Sequence, residues 1–164
     1  MSLRERLKAR PRPSAKFNLR MADDTQQKEA LANAHMSLVL AKAAHAEGSD
    51  ELREAERKYE EAKQQVEACY EPLTLVALPP EDYEALIAAH PPTAEQKKQD
   101  PEVTWNEDTF RPALLSVTVE GDVTEQDWAE MYKTGQINIG EFRELVYACL
   151  LVNNRATDPL LGKG

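Results

Sequence analysis

The sequence predicts a mainly α protein: an N-terminal antiparallel helical hairpin followed by a small all-α domain with one short extended segment. Three observations carry this reading. Apolar residues recur at helical spacing through most of the 164 residues. Aromatics are only 6% and glycines number six, which leaves few tight turns for a sandwich or barrel. The ten prolines mark the boundaries between periodic segments.

Charge divides the chain. Residues 1–20 carry seven bases, Arg4, Arg6, Lys8, Arg10, Arg12, Lys16 and Arg20, against the single acid Glu5. Removing these from the 20 bases and 29 acids of the whole leaves 13 and 28 over residues 21–164. In "ARPRPSAK" proline alternates with basic residues; proline removes helical hydrogen bonds and like charges repel. Residues 1–22 are therefore expected to be a basic disordered arm on an acidic body. That body repels phosphate, so nucleic-acid binding is not expected except through the arm. Cys69 and Cys149 are isolated, with no zinc or disulfide spacing, which fits a reducing compartment. The N-terminus lacks the apolar core of a signal peptide. The run "LVYACLLV" at 145–152 falls far short of the roughly 20 residues a membrane span needs. A soluble protein with no membrane partner is expected.

The hairpin is expected over residues 23–71. Asp23 or Asp24 suits the positive end of a first helix, and Leu31, Ala34, Leu38 and Ala41 recur at steps of four and three. Gly48 stops it and Ser49 or Asp50 caps a second helix, whose Leu52, Ala55, Tyr59, Ala62, Val66 and Cys69 follow a heptad rhythm. The seam is rich in alanine and therefore thin. Leu31, Leu38, Tyr59 and Val66 are accordingly the candidate partner-binding residues.

A compact helical domain is expected over residues 72–155, with a flexible tail at 156–164. Pro72 is expected to end the second helix, and "LTLVAL" at 73–78 is the best strand candidate, as an edge or a short two-stranded pairing. Pro79 and Pro80 open a helix at their favoured position, and Pro91 and Pro92 stop it. Residues 91–104 look like a surface loop. Asn106 or Asp108 caps the next helix. Pro112 is acceptable only in a first turn, so the regular part should span about residues 112–119. Thr124 with Asp127, and Asn138 with Glu141, signal the last two helix starts, with Gly135 between them.

No catalytic set, cofactor motif or metal site is expected, so the reading is a non-enzyme without cofactors. "YKTGQINIGEFRELV" is similar to the second half of an EF-hand, with Gly135, Ile137 and Glu141 in place. Glu130, Tyr132 and Thr134 break the first half, because tyrosine fills the space a short carboxylate needs. His35 and His45 are ten residues apart, not on one turn. His90 lies too far along its helix from Glu81 and Asp82 for a dyad, and its ring is expected to cap the last carbonyls of that helix.

From about Leu75, "LVALPPEDYEALIAAHPPT", "WNEDTFRPALLSVTV", "TEQDWAEMY" and "FRELVYACLLVNN" follow in order. This C-terminal half resembles the tail assembly chaperone-like proteins of long-tailed actinobacterial phages. The matching positions are Leu86, His90, Pro91, Pro92, Thr93, Trp105, Asn106, Thr109, Phe110, Pro112, Ala113 and Leu114. The resemblance implies a structural role for His90, Pro91, Pro92, Trp105, Asn106, Phe110 and Pro112: a rigid connector and helix start with two aromatic anchors. It implies a chaperone that binds the tape measure protein and keeps it soluble while tail tube subunits are recruited in the host cytoplasm. A structural virion component of the tail, and self-association, are the alternatives. Such proteins are often made in two lengths by ribosomal slippage. "LLGKG" can be encoded by a slippery heptamer, so residues 156–164 are expected to be the root of a longer form.

Overall fold

Capping chemistry sets most helix starts in this protein. The structure, a computed structural model, describes residues 1–155. Ser2, Thr93, Thr124 and Asn138 each close a reciprocal capping box with a side chain three residues on, opening α1 (Leu3–Lys8), α5 (Ala94–Gln99), α7 (Glu125–Thr134) and α8 (Ile139–Asn154). Ser49 caps α3 (Asp50–Glu67), and Asn106 caps α6 (Glu107–Thr118). Pro80 opens α4 (Pro80–Ala89), where its missing N–H costs nothing. The remaining helix, α2 (Thr25–Ala44), follows Asp24. The fold is mainly helical, and its expected tail at 156–164, with the slippage reading attached to it, lies outside the described residues.

The first correction concerns the basic arm. It is not disordered: residues 3–8 are helical, and β1 (Ser14–Arg20) pairs with β2 (Tyr70–Val76) in a two-stranded sheet. Ala77 N–H donates to the Pro13 carbonyl and Met21 N–H to the Cys69 carbonyl, each at 2.8 Å, which fixes an antiparallel register. The Lys16 ammonium bonds the hydroxyl of Thr74, the residue directly across. In this register the odd-numbered residues of β1 turn their backbone groups toward β2 and the even-numbered ones turn away. Pro72 does not end a helix. It sits inside β2 at a position whose nitrogen faces away from β1, where proline costs no ladder bond. The extended segment expected at 73–78 is thus the second half of β2, and its short two-stranded pairing is made with the N-terminal arm.

The described chain divides into two compact units: Met1–Phe17 with the chain from Leu73 onward, and Asn18–Pro72. In the first, α6 is the hub. It packs on α4, α7 and α8, and buries Phe110, Leu114 and Leu115 completely. Leu75 of β2, Leu145 and Cys149 of α8 are equally buried, and Leu75 bridges to Val119 just past α6. In the second unit α2 packs on α3.

Two further expectations need correction. The stretch 91–104 is not only loop, since α5 forms within it from the Thr93–Gln96 capping box. Pro112 lies in the second turn of α6, not its first. Its missing N–H leaves only the carbonyl of Asp108 without a helical donor, and Asp108 is exposed to water. The buried pyrrolidine ring meanwhile contributes to the core.

Phe110 is 0% exposed, while Trp105 is half-buried and stacks on it at 4.6 Å between centroids. Phe110→Ala is expected to cost about 3–5 kcal/mol of stability in urea unfolding. Trp105→Ala should cost about 2 kcal/mol, since only part of its surface and one ring contact are lost.

Candidate functional site: the outer face of the second helix

α2 is apolar on two opposite faces. At about 100° per residue, Leu31, Ala34, Leu38 and Ala41 share one side of the helix. Ala32, Met36, Val39, Leu40 and Ala43 share the side diametrically across. The first face is covered by α3: Leu38 is 7% exposed, and Leu31, Ala34 and Ala41 are half-buried. Facing it on α3, Leu52 is buried, and Ala55, Tyr59, Ala62 and Val66 are half-buried. The second face is bare. Met36, Val39 and Leu40 are 61%, 48% and 62% exposed, and Ala32 and Ala43 are exposed with them.

The structure therefore brings Leu31, Leu38, Tyr59 and Val66 together, but in the seam between α2 and α3 rather than on a free surface. The His35 and Tyr59 rings meet at this contact, 5.7 Å apart. Met36, Val39 and Leu40 lie on the other, exposed side of the helix. The signal was in the sequence. Four consecutive apolar residues, Leu38 to Leu40 with Ala41, cannot all lie on one helical face.

α3 shows what a solvated outer face looks like. Arg57 bonds Glu54 at 2.7 Å and also Glu61, and Lys58 approaches Glu54 at 3.5 Å. Those carboxylates hold the Arg57 guanidinium above its ordinary pKa, with Glu54 the larger influence. The outer face of α2 has no comparable ladder. Its apolar stripe is what distinguishes it.

Asp24, the residue before α2, makes no side-chain cap on that helix. Asp23, not Asp24, takes the Thr25 N–H and hydroxyl, at 3.1 and 2.7 Å. The Asp24 side chain is buried instead, and accepts from Lys28 at 2.6 Å and from the Tyr70 hydroxyl. Arg20 adds a longer contact at 3.8 Å. Hydrogen bonds from Lys28 and then Tyr70 hold its carboxyl below the ordinary aspartate range.

The His90–Pro112 stretch forms a separate knot in the other unit. The Asn106 side-chain oxygen accepts from the Asp108 N–H at 3.1 Å and the Gln96 side chain at 3.2 Å. The Asn106 N–H donates to the His90 carbonyl at 2.8 Å. The expected cap of α4 by the His90 ring does not form. The His90 Nδ1 lies 2.9 Å from the Thr109 hydroxyl and its ring meets Phe110 edge-on. Pro91 and Pro92 then follow between α4 and α5. In the EF-hand-like stretch, Gly135 is a left-handed helix end and Ile137 is buried. The Glu141 carboxylate accepts the Asn138 N–H at 3.1 Å, and Tyr132 lies against Phe142. Burial pushes the Cys149 thiol up to about 12, far from a nucleophilic thiolate. Among the described residues no cluster of three His, Cys, Asp or Glu side chains is placed to hold a metal ion, and no helix is long and apolar enough to cross a membrane.

Comparison with protein-family models, with curated proteins and with solved structures finds no match.

Because the folded-state pKa of Asp24 lies below its ordinary value, its stabilisation is present above about pH 4 and is lost as pH falls through the depressed pKa. Circular-dichroism melts taken from pH 7 down to pH 2 should show the Tm falling in that acid window. Asp24→Asn should lower the Tm at pH 7 and flatten part of the acid decline.

Proposed function

We propose that this protein is a binding protein without turnover, and that the outer face of α2 holds a helical segment of a partner. The bare Met36, Val39 and Leu40 stripe carries the reading. It is arranged at the i, i+3, i+4 spacing by which one helix lays its apolar face on another. The helices α2 and α3 act together as an antiparallel hairpin. Support comes from the bond between Tyr70, just past α3, and Asp24, just before α2. A second helix laid on the opposite side of α2 turns a two-helix pair into a three-helix layer with α2 buried in the middle, which supplies what its thin alanine seam lacks.

The partner consistent with the sequence resemblance is the tape measure protein of a long-tailed phage. That is a long helical chain whose apolar stripes would aggregate before tail tube subunits close round it. An acidic binding protein, of net charge −9, keeps such a complex soluble by repulsion between copies. In this reading it acts as a tail assembly chaperone in the host cytoplasm and is displaced when the tube subunits arrive.

Co-purification with the tape measure protein tests the proposal. Met36→Glu with Leu40→Glu should abolish capture while leaving helicity and Tm unchanged, because both side chains already face water. Leu38→Glu should instead lower the Tm by unseating the α2–α3 seam. Undiminished capture by the Met36/Leu40 variant would remove the outer face from the function. Finding the protein in finished particles would favour a structural tail component over a chaperone.

A further inference from the structure

Among the described residues the sheet leaves one edge open on the N-terminal strand. β2 is flanked on its far side, where the Glu120 N–H donates to the Thr74 carbonyl at 2.9 Å. On β1 the even-numbered residues Ser14 and Lys16 turn their backbone groups away from β2, and among the described residues no segment pairs with them there. Adjoining this edge is a groove of about 580 Å³ between the start of β1 and the C-terminal half of α8. Its aliphatic lining is Ala15, Ala148, Leu151 and Val152, and it also holds Arg10 and Arg155. Neither arginine has an acidic partner among the described residues.

We propose that this edge and groove bind an extended acidic segment of a partner protein by strand addition. The backbone of that segment pairs with Ser14 and Lys16. One aliphatic side chain enters the groove, and the carboxylates two residues before and after it face Arg10 and Arg155. Charge selects this occupant. A second copy adding its own β1 would set Lys16 and its neighbouring arginines against their equals, the like-charge clash that protects natural sheet edges. A nucleic acid would meet a floor without any aromatic ring to stack a base. The inference is independent of the α2 face, since it uses the other unit and asks for an extended ligand rather than a helical one.

The test uses the full chain and a short fluorescein-labelled peptide alternating glutamate with valine and leucine, followed by anisotropy. Saturable binding is expected, weakened about tenfold by Arg10→Glu with Arg155→Glu. Lys16→Pro separates strand addition from simple charge attraction. It removes the open-edge N–H without touching the ladder to β2, as Pro72 does on the neighbouring strand. It should bind about fivefold more weakly than Lys16→Ala, the scale of one lost hydrogen bond, with both variants matching the parent in circular dichroism. Equal binding by the proline and alanine variants would overturn strand addition. So would tighter binding of a peptide with lysine in place of glutamate, or displacement by a single-stranded oligonucleotide at lower concentration. A concentration-dependent dimer that Lys16→Pro abolishes would give the edge to a second copy and also overturn the proposal.

Discussion

The antiparallel pairing of β1 with β2 joins chain positions that are far apart in sequence. Bringing Met21 to Cys69 shuts the loop of chain that carries α2 and α3. At the other end, Pro13 is held to Ala77, and β2 continues into α4. A two-stranded sheet is marginal alone in water. This one persists because Leu75 and Ala77, on the face shared with Ala15, are buried at 0% and 5% exposure. A net contribution of about 1 kcal/mol per ladder hydrogen bond then adds to the burial rather than having to stand without it.

How much of this could be read from the chain depends on how local each signal is. The caps at Ser49, Asn106, Thr124 and Asn138 are contained in four residues or fewer, and the structure uses all of them. The heptad steps through α2 and α3 likewise name the seam residues. The N-terminal strand was hidden, because its pairing partner lies more than fifty residues away and its sequence advertises only charge and proline. Nothing within "PSAKFNLR" says that Lys16 will find Thr74. The α5 cap was legible in Thr93 and Gln96 but was masked by the prolines just before it.

The candidate site was half legible. Periodicity identified α2 as the helix in question and its leucines as apolar, but which apolar face meets α3 depends on packing. A helix with two opposed stripes gives the sequence reader two equal answers, and only the burial of Leu38 against the exposure of Met36 and Leu40 chooses between them. The charged outer face of α3 sharpens the contrast, since there the Glu54–Arg57–Glu61 ladder pairs the exposed side chains with one another. The knot at Asn106 was visible as a cap, whereas its tie to the His90 carbonyl needed the fold.

The two cysteines give each unit a chemical clock. Cys69 lies in the 18–72 unit and Cys149 in the other, both buried and both free. A thiol reagent can reach either sulfur only when its surroundings open, so the labelling rate of each cysteine reads the opening frequency of its own unit. Two mass increments, resolved by digestion after a timed pulse, thus time two opening events in a single unmodified molecule. Whether the units breathe together or apart is recorded in the ratio of those rates, with no dye, tag or substitution added to the chain.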